Sequence, residues 1–126
     1  MNPEYLDIVS EIEQFFMKRS TELSNSGIRQ LIIDPGFVFG KNLSHNYTLL
    51  KYLPRFKKLG YPLLVGVSRK SMVNRLLNIK AEDALHASGA LHTLALLGGA
   101  DILRVHDVKE ALEVIKVVKA YQTGAV

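Results

Sequence analysis

The stretch PLLVGVS, residues 62–68, decides the fold: it is apolar almost without interruption and ends in a hydroxyl. Two runs of the same kind flank it, LIID at 31–34 and DILRVH at 101–106, each separated from it by a segment of helical character. Continuous rather than alternating apolar runs suit strands covered on their faces, and connections of this length suit parallel pairing. The order β, α, β, α, β, α follows. Gly27, Gly60 and the pair Gly98 and Gly99 stand shortly before the three runs, where a helix end needs a left-handed residue before the chain turns into a strand.

The helices are legible from their spacing. Residues 3–24 place Tyr5, Ile8, Val9, Ile12, Phe15 and Phe16 on one apolar face. The segment from Ala81 through ALHASGALHTLALL sets Leu85, Ser88, Leu91 and Ala95 close to one packing stripe. The last helix opens with Asp107-Val108-Lys109-Glu110, the pattern of a capping box, continues through Ala111, Leu112, Ile115 and Val118, and ends near Tyr121. No linker, low-complexity tract, charge block or alignable repeat divides the chain, so residues 1–126 read as a single segment.

Composition excludes several classes. A chain of 126 residues, 48% hydrophobic, can bury a modest core. With no cysteine it has neither a disulfide framework nor a thiolate metal site, and the four histidines lack zinc-ligand spacing. No apolar run approaches the ~20 residues of a membrane span, and the N-terminus lacks a signal peptide's order, so a cytoplasmic setting without a membrane partner is expected. The net charge of +4 favours an anionic partner. Much of that charge, including Arg55, Lys57 and Lys58, falls on helical segments and reads as a solvated face.

In parallel α/β folds ligands bind at the carboxyl ends of the strands. LIID ends in Asp34-Pro35-Gly36, a carboxylate followed by a tight turn, which a loop cap would explain equally well. PLLVGVS runs into Arg69-Lys70-Ser71 and towards a helix, where backbone amides favour an anion and Gly66 leaves room for close approach. Taken alone, SRKS is better explained as a solvated basic turn. DILRVH puts Arg104 and His106 on one side of a strand and Val105 on the other. A cation beside an imidazole at the end of an apolar strand calls for an anionic partner, and a hydrogen-bonded core histidine would leave Arg104 unexplained.

These residues carry a family resemblance. Asp34-Pro35-Gly36-Phe37 with Phe39-Gly40-Lys41-Asn42, then Val65-Gly66-Val67-Ser68-Arg69-Lys70-Ser71, then Arg104-Val105-His106-Asp107 resemble, in order and spacing, the carboxyl-terminal half of the dihydropteroate synthase family. Val38, Asn74 and Ala84 depart from the family pattern. The resemblance implies part of a TIM (β/α)8 barrel, about three βα units with a leading helix. It implies a sulfonamide-target transferase that condenses 6-hydroxymethyl-7,8-dihydropterin diphosphate with p-aminobenzoate in folate synthesis. Carried over by position, Asp34 and Lys70 would hold the pterin, Phe39 would pack near the aminobenzoate ring, and Ser71 with Arg69 would hold its carboxylate. Arg104 and His106 would take the departing diphosphate.

Mg²⁺ is implied too, with its protein ligand outside this chain. A barrel needs about 250 residues. A piece of three strands would expose a sheet edge and an apolar interior, so little or no turnover alone is expected, together with a homodimer or association with the missing half-barrel. A pterin-binding methyltransferase domain has no use for the diphosphate site that Arg104 and His106 suggest. A non-catalytic basic module, meeting nucleic acid or protein, is the remaining alternative; nucleic acid is not expected.

Overall fold

The structure is a computed structural model. It describes residues 3–36, 42–67 and 69–126, and of residues 3–7, 69–71 and 81 the backbone alone. In chain order these form α1 (Pro3–Asn25), α2 (Leu43–Lys51), α3 (Leu53–Lys57), β1 (Leu64–Val65), a π-helical turn (Arg69–Asn74) running into α4 (Arg75–Leu77), a 3₁₀ turn (Ala81–Asp83), α5 (Leu85–Leu97), β2 (Ile102–Leu103) and α6 (Val108–Thr123).

The three apolar runs lie side by side and parallel. Leu64 pairs with Ile102 and Val65 with Leu103, while LIID contributes a single parallel bridge, Ile33 to Leu63. The expected order of units is therefore present. The first run is less regular than predicted: one bridge stands where a strand was expected. Gly27, Gly60 and Gly99 have φ of 91°, 89° and 111°, the left-handed turns foreseen before each run, and Gly98 completes the helix before it.

The two faces of this sheet differ. Ile33, Leu63, Val65 and Val67 point beneath the helices and are buried with Leu49, Leu53, Phe56, Met72, Val73, Leu91 and Ala95. Each fully buried aliphatic or phenyl side chain adds about 1.5–3 kcal/mol over an exposed one. On the alternate positions Ile32 is 58% and Ile102 38% exposed, so the opposite face is apolar and open.

α1 lies over α2 and α3. Val9 is fully buried, and the ring of Phe16 meets that of Phe56 edge-on at 5.9 Å. Arg55 on α3 donates two hydrogen bonds to Glu13 of α1, at 2.8 and 3.2 Å. Lys57 pairs with Asp101. Two of the three cations assigned to a solvated face thus tie elements together.

Other expectations need correcting. Phe15 is 59% and Leu112 56% exposed, so the apolar faces of α1 and α6 are narrower than their sequences suggest. α5 begins at Leu85 itself, directly after the 3₁₀ turn, so Leu85 stands at the open first turn of the helix. Leu85 is consequently 40% exposed, and the buried stripe is Ser88, Leu91, His92 and Ala95. Asp107 is the N-cap of α6, but its side chain makes no capping hydrogen bond; its charge acts on His92 across the seam between α5 and α6.

Candidate active site at the carboxyl ends of the strands

Asp34, Gly66 and Arg104 follow Ile32, Leu64 and Ile102 by two residues, so the alternation of strand side chains brings all three to the open face. The Arg104 N–H donates to the Val65 carbonyl at 3.0 Å, which holds the third run against the second up to this level. The Arg104 side chain then lies across Gly66. A Cβ built on Gly66 would stand 2.6–2.8 Å from the guanidinium atoms Nη2, Cζ and Nε. Close approach at Gly66 was expected from the sequence; what approaches is the chain's own arginine. Beyond it, Arg104 Nη1 stands 3.6 Å from Asp34 Oδ2, with the two side chains 61% and 38% exposed.

Asp34 has a second engagement. Its Oδ1 accepts the Gly36 N–H at 2.9 Å, and Gly36 turns back at φ 71°. One oxygen therefore caps the turn, as the loop-cap reading expects, and the other faces Arg104. His106 follows on the same strand end and is exposed, so it is not a core histidine.

Beyond Ser68 the chain enters the π-helical turn as expected for a strand running into a helix. Phe39, Val38 and Ser68 lie outside the described residues, as do the side chains of Arg69, Lys70 and Ser71. The structure accordingly brings Asp34, Gly66 and Arg104 together, with His106 two residues beyond Arg104. Ala84, where the family has another residue, is fully buried among apolar neighbours.

Sequence reasoning missed the residues that support this edge. Tyr47 on α2 donates its hydroxyl to the Met72 carbonyl at 2.7 Å, pinning the turn that carries Arg69–Ser71, and burial raises its pKa. Nothing in SHNYTLL marks that tyrosine. At the opposite end of the sheet Asp101 accepts from both Lys57 and, at 2.8 Å, the Leu63 N–H. These partners lie too far apart in sequence for any local pattern to show. Asn46, 1% exposed on α2, has no hydrogen-bond partner at Nδ2 or Oδ1 among the described residues.

Among the described residues no group of three or more His, Cys, Asp or Glu side chains could hold a metal ion, so these residues do not fit a Mg²⁺ site of their own. No helix among the described residues is long and apolar enough to cross a membrane.

A carboxylate and a guanidinium converge across a glycine at the carboxyl edge of a parallel sheet, the edge at which α/β proteins carry their sites. Residues 1–106 match the model of the family described as pterin binding enzyme, and the chain belongs to that family. Among its relatives are dihydropteroate synthases. That of Escherichia coli (strain K12) is 47% identical over 120 residues, which cover 94% of this chain and 43% of the relative. Among solved structures, Yersinia pestis dihydropteroate synthase in a sulfonamide drug complex superposes with a TM-score of 0.87 at 43% identity, over 93% of this chain and 43% of that one. The Thermus thermophilus enzyme in complex with 4-aminobenzoate superposes with a TM-score of 0.84 at 38% identity, over 90% and 45% of the two chains. The chain spans 43–45% of the length of these three.

Proposed function

We propose that this chain supplies the pterin and leaving-group side of a dihydropteroate synthase site, with residues 1–126 acting as one segment and contributing the last three βα units of a TIM (β/α)8 barrel. The observation that carries the reading is the loose Asp34–Arg104 pair laid over Gly66. An ion pair at 3.6 Å with both partners exposed contributes little to stability, so either group can exchange its partner for a ligand at small cost.

In the proposed reaction Asp34 accepts N–H groups of the dihydropterin, a task for an ionised carboxylate. Arg104 turns towards the diphosphate with His106 beside it. The bond between the pterin's methylene carbon and the diphosphate oxygen breaks, and the charge that develops on that oxygen meets the guanidinium and imidazole. The p-aminobenzoate nitrogen then forms the new C–N bond and loses its proton. Lys70 serves the pterin's acceptor atoms, Phe39 packs near the aminobenzoate ring, and Ser71 and Arg69 receive its carboxylate. Mg²⁺, when bound, would supply further charge to the diphosphate from ligands outside this chain.

The open face bearing Ile32 and Ile102 supports association with a half-barrel supplying the remaining strands. A second copy would bring three runs where closure to eight needs five, so homodimerisation alone does not complete the barrel. Calorimetry with pterin plus inorganic diphosphate tests the reading. Wild-type binding that weakens in Asp34→Ala, Lys70→Ala and Arg104→Ala is expected. Binding unchanged by all three substitutions refutes the assigned roles, as would full turnover by the isolated chain refute the need for a second half.

A further inference from the structure

The seam between α5 and α6 holds a buried histidine that the reaction above does not use. His92 is 9% exposed on the packed stripe of α5, and its Nδ1 is buried without a hydrogen-bond partner among the described residues. Beside it is a cavity of about 10 Å³, bounded by Ser88 and Gly89 of α5 and by Asp107, Glu110 and Ala111 of α6. That is the room one water molecule takes, and a water needs two to four polar partners to settle there. They are present. His92 Nδ1 and an Asp107 carboxylate oxygen can accept the water's two hydrogens, while Ser88, whose own proton goes to the Ala84 carbonyl at 2.8 Å, and Glu110 line the wall.

Asp107 makes this cavity relevant to the site. It immediately follows Arg104, Val105 and His106, and it is the N-cap of α6. We propose that His92 is a positioning residue: through one trapped water it holds Asp107, and through Asp107 the turn that presents Arg104 and His106. Burial lowers the His92 pKa while Asp107 raises it in opposition, so the ring is neutral at pH 7 and Nδ1 is free to pair with a water. The titratable groups facing it from α6 are Asp107 and Glu110, both acids, and α5 contributes none. Charging His92 in acid therefore replaces the water bridge by direct attraction to Asp107 and shifts the turn. The significance for turnover rests on the function proposed above, whereas the coupling within the chain does not.

The test compares the full chain with His92→Gln, which keeps an acceptor, and His92→Phe, which removes it. By NMR the backbone amides of residues 104–108 should titrate with the midpoint of the His92 ring in the wild type, and lose that midpoint in both variants. Inorganic diphosphate should bind about fivefold more weakly to His92→Phe and near normally to His92→Gln, a size that one water-mediated contact can account for. Amides of 104–108 that ignore the His92 titration overturn the proposal, and so does a dry cavity in a crystal structure. Should the wild type fail to bind diphosphate, the proposed function falls, and the amide titration still decides the role of His92.

Discussion

The two ends of the short sheet are each fastened by an acid and a base, and they are fastened differently. At the amino edge Asp101 takes a lysine and the N–H of a fully buried leucine on one oxygen, locking the start of the second run to the start of the third. At the carboxyl edge Asp34 and Arg104 meet at 3.6 Å across a bare glycine, and more than half of the arginine is in solvent. The first device joins neighbouring runs, and the second reaches from the third run across the second to the first. One is anchored to the backbone amide of a buried residue, and the other is a contact between two side chains that a ligand can separate. In a fold that binds ligands at its carboxyl edge, stability gathers at the amino edge.

The largest expected effect breaks the anchored end. Asp101→Ala removes the lysine's partner and orphans the buried Leu63 amide, which should cost about 1–3 kcal/mol, mostly through the amide because the ion pair is well exposed. A lower denaturant midpoint at constant slope would show it. Asp101 also lies below its ordinary pKa of 3.8, held there first by Lys57 and then by the Leu63 amide. Its contribution is therefore complete above that value and lost as pH falls through the lower folded one. An acid-unfolding profile unchanged in Asp101→Asn would contradict this.

Next comes Tyr47→Phe, which leaves the Met72 carbonyl without its donor. A loss of about 1 kcal/mol is expected, with weaker binding of p-aminobenzoate if the turn from Arg69 to Ser71 holds its carboxylate. A variant that loses stability and keeps its affinity would separate anchoring from binding. His92 adds a milder pH effect. Burial favours its neutral form, so stability should decline as pH falls below about 6.5 and level off beneath the folded pKa. Chemical denaturation at about pH 7.5 and about pH 5.5, on either side of the ordinary histidine pKa, should reveal that decline in the wild type and its absence in His92→Gln.

The smallest stability change belongs to the carboxyl edge. Arg104→Ala should shift stability by less than ~1 kcal/mol while abolishing most diphosphate binding. A large destabilisation without change in affinity would reverse the contrast between the two ends. Among these substitutions, Arg104→Ala alone should separate the two readouts so widely.

Much of this was readable in the sequence. Continuous apolar runs, glycines ahead of them and helical spacing between them were enough to give parallel βα units, because each signal is local. Asp34, Gly66 and Arg104 could be singled out because strand ends are where chemistry collects in such sheets. What escaped was non-local. The reach of Arg104 over Gly66 to Asp34 crosses a whole strand, and the partnership of Lys57 with Asp101 depends on how α3 sits against the third run. The exposure of Leu85 escaped for a different reason: the 3₁₀ turn at Ala81–Asp83 delays the start of α5 to Leu85, leaving that residue in the open first turn, while His92, four residues after Ser88, falls within the buried stripe.

The parallel pairings have a kinetic consequence. Residue 33 meets 63, and 64 meets 102, so each strand contact must wait for an entire helical crossover to close its loop. Helices such as α1 and α6 can form before any sheet exists. During that interval Ile32, Ile102 and two unpaired edges are exposed to other chains. On the function proposed above, assembly becomes a race between capture of the sheet by the rest of a barrel and capture by another unfinished copy. Refolding yields that fall steeply with concentration, and recover when a complementary half-barrel is present, would record who wins it.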